Sequence, residues 1–230
     1  MTALNRIHGR PAVEAGPIPG KAHLLRENTI DSFLNALADR VPAPGGGASA
    51  ALHAAQAAAL VAMVARYSEG PRFAEHADLV GKVRDSADRL RDEALALAED
   101  DVAAFTAVSD AYRLPRGSDD ESAERSAAIA AATLGAARPP EALIGLVSQI
   151  LDLAEDLLPV SNRNVVSDVA AAAEAARAAA TTARVNVEIN LGGISDTDAR
   201  AALVAAAGSV DGLAGRAELL TAAVRAELVR

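Results

Sequence analysis

The sequence predicts an all-α protein, a single-domain bundle of long helices that dimerises through helix packing. Hydrophobic residues make up 51% of the 230 residues, yet aromatic residues make up only 2%, and Trp and Cys are absent. Such a core must be built from Ala, Leu and Val, and alanine combines the best helix propensity with close approach of helix axes. N-cap residue types and apolar stripes at helical spacing recur from residue 29 almost to the C-terminus.

The folded domain is predicted to cover residues 28–230. Residues 1–27 are expected to form a flexible N-terminal extension, because Pro and Gly punctuate them and no continuous apolar run of a secretory signal is present. The first helix begins near Thr29 and Asp31, which are good N-cap residue types. The two prolines of the Val-Pro-Ala-Pro segment that follows end this helix.

Three glycines, Gly45–Gly47, are predicted to form a turn that leads into a second helix over residues 48–66. One face of this helix is an alanine seam that permits close contact with a partner helix, in the same chain or in a second subunit. The seam consists of Ala51, Ala55, Ala58, Ala62 and Ala65. The run is long enough to span a bilayer, but it is mostly alanine and contains His53 and Gln56, so we expect no membrane span.

The charged segment 72–113 reads as one long helix that ends at Leu-Pro-Arg-Gly. A further helix is predicted over about 119–137, with three acids in its first turn to suit the positive end of the helix. Pro139 and Pro140 are expected to break the chain before another helix that runs to Leu158.

Two helices complete the predicted bundle. One follows Ser-Asn-Arg-Asn and covers about 165–190, and the last follows Ser195 and Asp196 to the C-terminus. The segment Val-Asn-Val-Glu-Ile-Asn-Leu alternates like a strand, but it continues an alanine-rich helix, so we predict that it is helical.

Composition and motifs exclude several classes of function. The formal net charge of −9, with no basic stripe, argues against nucleic-acid binding. The absence of Cys excludes disulfides and thiolate metal sites and agrees with a reducing cytoplasm. The four histidines form no His-Glu-x-x-His or Glu-x-x-His pair, so we predict no metal site. Neither a Gly-x-Ser-x-Gly motif nor a cysteine suggests covalent catalysis.

The glycine segment admits two interpretations. It is not a phosphate loop, because no Lys-Ser/Thr pair follows Gly47. In the functional interpretation, the free N–H groups of Gly45, Gly46 and Gly47 bind a carboxylate or carbonyl oxygen of a ligand, with Ser49 beside them. In the other, the glycines form a tight interhelical turn that Ser49 caps.

A second candidate cluster heads the helix predicted over 165–190. Asn162 and Asn164 precede the helix, Arg163 adds a cation, and Asp168 lies four residues after Asn164 on the same helical face. Ordinary capping explains one or two of these residues but not four polar groups before an alanine helix.

A third cluster, Asn186 and Asn190, lies at the other end of that helix. Eighteen residues separate Asp168 from Asn186, which is about 27 Å along a helix. The two ends therefore serve different sites, or a symmetric dimer brings one end of each subunit together.

Asp101 is the fourth candidate. It falls on the apolar stripe of its helix beside Leu97 and Phe105, so we expect its carboxyl to be buried and its pKa to be raised unless a partner compensates. The alternative is a carboxylate at the helix edge or one paired with an arginine.

Four segments resemble one known family when taken in order. They are FLNALADRVPAPGGGASAAL, DVAAFTAVSDAYRLP, SNRNVVSDVAAAA and RVNVEINLGGISD, which together extend over about residues 29–198. The chain resembles the C-terminal domain of formiminotransferase-cyclodeaminase and the bacterial methenyltetrahydrofolate cyclohydrolases. The resemblance implies folate one-carbon chemistry, without a metal or redox cofactor, in a homodimeric helical fold.

The implied reaction is hydrolysis of 5,10-methenyltetrahydrofolate to 10-formyltetrahydrofolate, which we favour because the chain carries no formiminotransferase domain. One alternative is cyclodeamination of formiminotetrahydrofolate with loss of ammonia, and another is a non-catalytic folate-binding or interaction module. The resemblance suggests Asp101 or Asp168 for proton transfer or cation stabilisation and Arg163 or Arg72 for the glutamate tail. The orienting residues would be Asn162, Asn164, Asn186 and Asn190, with backbone donors from Gly45–Gly47.

Overall fold

Six α-helices form the protein in the computed structural model, which describes residues 25–229. They are α1 (Ile30–Ala38), α2 (Gly46–Tyr67), α3 (Ala77–Arg113), α4 (Asp119–Leu157), α5 (Val166–Asn190) and α6 (Thr197–Leu228). Short 3-10 turns connect several of them, and no strand occurs within the described range. The prediction of an all-α bundle of long helices is confirmed, and the Val-Asn-Val-Glu-Ile-Asn segment is helical.

Helix α2 lies at the centre of the bundle, packed against α3, α5 and α4. The five alanines of its seam are between 0% and 6% exposed, so their partner helices belong to the same chain. Among residues 25–229, α2 is the one helix long and apolar enough to cross a membrane, and 61% of its most apolar window is buried in the protein. A helix of the protein core shows this degree of burial.

Local capping explains where several helices begin. Thr29 accepts a hydrogen bond from the backbone N–H of Ser32 at the start of α1. Ser118 and Glu121 form a reciprocal capping box at the start of α4. Asp196 accepts two backbone N–H bonds at the start of α6. Because such caps are local in sequence, these starts are predictable from sequence.

The predicted break at Pro139 and Pro140 is wrong, because α4 runs unbroken through both prolines. Each proline removes a helical hydrogen bond at a cost of about 3 kcal/mol. Both prolines are buried, and the turns that follow bury Leu143, Ile144 and Val147 in the same core. Burial of each such side chain contributes about 1.5–3 kcal/mol, which offsets the lost bonds.

The predicted glycine turn is also wrong in part. Gly45 is the N-cap of α2, while Gly46 and Gly47 already belong to its first turn. Ser49 provides no side-chain cap for this helix. The long helix predicted from residue 72 begins later, because Pro71–His76 form a 3-10 turn before α3.

Most of the predicted N-terminal extension, residues 1–24, lies outside the described residues. The last part of it, Leu25–Glu27, forms a 3-10 turn. Arg26 in this turn pairs with Glu99 of α3 at 2.9 Å.

Candidate active site

The polar clusters predicted from sequence lie at two ends of the bundle. At the C-terminal end of α2, the side chain of Asn162 donates to the carbonyl of Tyr67 at 2.8 Å, and its backbone N–H donates to Ser68 Oγ at 2.9 Å. At the N-terminal end, Gly46 lies beside Asn186 of α5. Helices α2 and α5 are therefore antiparallel, and the 22 residues of α2 separate the two ends by about 33 Å.

A cavity of about 270 Å³ opens at the N-terminal end of α2. It brings together three of the predicted elements: the glycine segment, Asp101 of α3, and the asparagines at the end of α5. Its lining consists of Pro42, Ala43, Gly45, Gly46, Gly47, Asp101, Phe105, Val108, Ala136, Asn186, Ile189 and Asn190. This convergence makes the cavity the candidate active site.

The Asp101 carboxyl group lies directly against the backbone of Gly47. A Cβ added at Gly47 would lie 2.5 Å or less from each of the three carboxyl atoms. The backbone N–H of Ala48 donates a hydrogen bond to this carboxyl. Gly47 is therefore required for close approach of the carboxyl to the helix N-terminus, rather than for a turn.

Burial raises the pKa of Asp101 above its ordinary value of 3.8, and the hydrogen bond from Ala48 opposes this shift. Desolvation disfavours the charged form of a carboxyl, whereas a donor stabilises it. A carboxyl with a raised pKa can exchange protons closer to neutral pH than an exposed aspartate. The predicted burial and shift of Asp101 are thus both present.

Two backbone donors accompany Asp101 at the cavity. The first intrahelical bond of α2 runs from Ser49 N–H to the Gly45 carbonyl, at 3.0 Å. Within the described residues, the N–H groups of Gly46 and Gly47 have no helical acceptor, as is general for the first turn of a helix. The positive end of the α2 dipole reinforces both donors.

The two asparagines of α5 bind their own helix. Asn186 Nδ2 donates to the carbonyl of Thr182 at 2.9 Å, and Asn190 Nδ2 donates to the carbonyl of Asn186 at 2.8 Å. Both bonds span one helical turn, so each side-chain amide is held at the helix surface beside the cavity.

The apolar wall of the cavity was not predicted as part of the site. Phe105 lies one turn after Asp101, and Ile189 lies one turn after Asn186. This spacing on one helical face is a signal that the sequence contains. Ala136, by contrast, reaches the cavity only through the packing of α4, and no local pattern indicates it.

Asn162 and its neighbours form a separate cluster at the other end of α2. Asn162 caps the 3-10 turn Arg163–Val165 by accepting a hydrogen bond from Asn164 N–H at 3.1 Å. Arg163 is ion-paired with Glu227 of α6. Within one chain, none of these residues lines the cavity.

Two further predicted residues accompany this second cluster. Asp168 lies half-buried in the first turn of α5, and Arg72 lies in the turn after α2 with its guanidinium 5.9 Å from the centre of the Phe73 ring. Ser49 does not line the cavity either. The second cluster therefore lies at the opposite end of α2 from Asp101.

Within residues 25–229, no group of three His, Cys, Asp or Glu side chains is arranged to hold a metal ion.

Comparison with known proteins gives a consistent result. The profile of the formiminotransferase-cyclodeaminase family matches residues 29–209. A methenyltetrahydrofolate cyclohydrolase of Methylorubrum extorquens is 38% identical over 169 residues, which cover 73% of this chain and 81% of that protein. The formimidoyltransferase-cyclodeaminase of Mus musculus is 30% identical over 78% of this chain, which spans only 34% of that longer protein.

A solved structure agrees with this relationship. The crystal structure of a formiminotetrahydrofolate cyclodeaminase from Thermotoga maritima superposes with a TM-score of 0.75 at 26% identity. The superposition covers 86% of this chain and 98% of that one.

Proposed function

Because the chain belongs to the formiminotransferase-cyclodeaminase family, we propose that it hydrolyses 5,10-methenyltetrahydrofolate to 10-formyltetrahydrofolate. The observation that carries this proposal is the half-buried Asp101 carboxyl in a cavity whose lining, among the described residues, includes no Lys, Arg or His. A negative site without a cation suits a substrate whose reacting carbon is part of a positively charged bridge.

Asp101 would act on the water and on N5 in turn. As its carboxylate, it takes a proton from water while the water oxygen bonds to the methenyl carbon, and a neutral tetrahedral carbinol forms. It then returns the proton to N5 as the bond from that carbon to N5 breaks. The carbinol O–H proton leaves as the formyl carbonyl forms on N10, so one proton is released per turnover.

The N–H groups of Gly46 and Gly47 are the candidate donors to the oxygen in this sequence. They would stabilise that oxygen as its O–H proton departs. Neither water addition nor loss of the N5 bond changes the oxidation state of the one-carbon unit, so we expect no redox cofactor. We also expect the enzyme to act in the cytoplasm.

Cyclodeamination of formiminotetrahydrofolate is the second candidate function, because the superposed Thermotoga maritima structure has that name. It closes the bridge with loss of ammonia through a similar tetrahedral carbon, and the same residues would serve it. The identity of 38% to the cyclohydrolase, against 30% to the mouse cyclodeaminase, favours hydrolysis.

One spectroscopic assay tests the proposal against its alternatives. The purified protein is mixed with 5,10-methenyltetrahydrofolate, and the expected result is faster loss of the methenyl absorbance than in buffer. Gain of that absorbance from formiminotetrahydrofolate alone would identify a cyclodeaminase instead. If neither rate exceeds the buffer control while folate raises the unfolding temperature, the protein is a folate-binding module.

We further propose that two copies pair through the outward faces of α2 and α5. The chain is 23% charged, yet these two adjacent faces carry no Asp, Glu, Lys or Arg between their ends. Val185 is 59% exposed and Ile189 is 79% exposed on this surface. The faces consist of Ser49, His53, Leu60 and Met63 of α2, and Ala171, Ala175, Ala178, Thr182, Val185 and Ile189 of α5.

Such pairing would resolve the separation of the two polar clusters. A two-fold axis perpendicular to the antiparallel helices places the second cluster of one copy beside the cavity of the other. Asp168 and the amides of Asn162 and Asn164 would then complete the partner's site. The partner's Arg163 or Arg72, which is not part of the cavity lining, would meet the glutamate tail outside the cavity.

Mixing two inactive variants tests this shared site. If Asp101 and Asp168 from different chains form one site, a hybrid of Asp101→Asn and Asp168→Asn chains contains one intact site and one doubly altered site. Random exchange in an equal mixture makes half of the dimers hybrid, so about a quarter of the wild-type activity is expected to return. A mixture that exchanges subunits and remains inactive would show that each chain forms its own site.

A further inference from the structure

We propose that Asn186 and Asn190 accept hydrogen bonds from the donor edge of the pterin ring, which carries the 2-amino group and N3–H. This assignment rests on the proposed function for the identity of the ligand. It specifies which part of the folate enters the cavity and which side chains bind that part.

The orientation of both amides is determined by their own helix. Each Nδ2 donates to a backbone carbonyl one turn earlier, at 2.9 Å for Asn186 and 2.8 Å for Asn190. A flipped amide would place Oδ1 against that carbonyl oxygen, and two acceptors repel. One N–H of each Nδ2 is therefore engaged with the helix, and this bond fixes Oδ1 on the other side of the amide, where it can accept a hydrogen bond from a ligand.

Helix α4 also borders the cavity. Pro140 has no N–H, so the carbonyl of Ala136, four residues earlier in the unbroken helix, lacks its usual donor. Ala136 lines the cavity. The Asp101 carboxyl and the two amide oxygens give the lining three side-chain acceptor groups, which N–H groups of a ligand can satisfy.

The densest set of N–H donors in a methenyl folate lies on the edge of its pterin ring. N5 and N10 of the bridged substrate carry no hydrogen, so the bridge offers no N–H donor. The glutamate tail carries carboxylates, which Asp101 would repel in a cavity whose described lining has no cation. The 2-amino-4-oxo edge of the pterin provides three N–H bonds on neighbouring atoms, and its O4 can accept from a backbone N–H.

A ligand without the 2-amino group would leave a desolvated acceptor unpaired. Loss of one such bond weakens binding by about tenfold. The test compares folic acid with its 2-deamino-2-oxo analogue by calorimetric titration of the full chain. We expect the wild-type protein to bind folic acid at least about tenfold more tightly.

Variants then assign the preference to the two asparagines. In Asn186→Leu/Asn190→Leu, the affinity ratio of the two ligands is expected to fall to about one. The matched control is Asn35→Leu on α1, an exposed asparagine whose side chain also bonds within its own helix, to Asp31 at 3.0 Å. This control should keep the wild-type ratio.

Equal affinity of the wild-type protein for both ligands, or no binding of folic acid, would overturn the inference whether or not the double variant folds. A folded double variant that keeps the preference would also overturn it. A tenfold preference without any folate turnover would refute the proposed enzymatic reaction and leave this inference standing. Folate turnover with equal affinities for the two ligands would support the proposed reaction and overturn this inference.

Discussion

Replacing Gly47 by alanine is expected to lower turnover about a hundredfold while the bundle still folds. The added Cβ would lie 2.5 Å or less from all three carboxyl atoms of Asp101, whereas ordinary contacts begin near 3.4 Å. The carboxyl must therefore retreat by about 1 Å or more, and a misplacement of this size at a reacting group costs about two orders of magnitude in rate.

The effect on stability is expected to be much smaller. The retreat of Asp101 removes the acceptor of the Ala48 N–H, at a cost of about 1–3 kcal/mol. Alanine is favoured over glycine within a helix by up to about 1 kcal/mol, which offsets part of this cost. The net loss, at most about 3 kcal/mol, is smaller than the 5–15 kcal/mol stability typical of a domain.

Two glycine replacements serve as matched controls. A Cβ at Gly46 would lie 3.8 Å from Asn186 Nδ2, an ordinary contact, so Gly46→Ala should leave Asp101 in place. A Cβ at Gly81, in the interior of α3, would meet nothing within 4 Å. Gly81→Ala should keep full turnover and raise the unfolding temperature.

The assay is the initial rate of methenyl absorbance loss across pH, together with thermal unfolding of each variant. Wild-type turnover in a folded Gly47→Ala protein would refute the argument that Asp101 acts from its place against the helix. Equal losses in Gly46→Ala and Gly47→Ala would show that crowding of the ligand, rather than displacement of Asp101, is the cause.

Two other predictions concern the ionisation of Asp101 and the uncharged α2–α5 face. Because burial raises the pKa of Asp101 above 3.8, the folded state binds this proton more tightly than the unfolded chain, and ionisation of Asp101 costs stability as pH rises from 3.8 to the raised pKa. Asp101→Asn should therefore lose turnover yet unfold at a higher temperature than wild type at pH 7, with the difference vanishing below pH 3.8; a less stable variant at pH 7 would contradict this reasoning. Val185→Glu places a charge on the uncharged α2–α5 face and should shift the sedimentation of the protein toward the monomer. The control Leu219→Glu, at a 71% exposed position on α6, should not change the sedimentation. If both variants sediment alike, the α2–α5 face is not the interface.

The helices of this protein were largely predictable because their signals are local. Thr29, Ser118 and Asp196 bond to backbone groups two or three residues away, so the sequence reveals where α1, α4 and α6 begin. The same locality misled at Pro139 and Pro140. There, the free energy gained by burying side chains in the core outweighs the cost of the hydrogen bonds that the prolines remove, and that burial is visible only in the packed structure.

The individual site residues could be selected from sequence as polar groups on an alanine-rich background, but their grouping could not. Asp101 and Asn186 converge on the glycine segment, whereas Asn162 and Asp168 lie at the opposite end of α2. Helical periodicity determines which face a residue occupies and nothing about which end of a neighbouring helix it meets.

Gly47 shows this division most directly. Its residue type and its place at the start of a helix are local facts that the sequence contains. Its requirement for glycine comes from a carboxyl 54 residues further along the chain, at Asp101. That contact exists only because α2 and α3 pack side by side, since close approach between distant segments is a property of the assembled core.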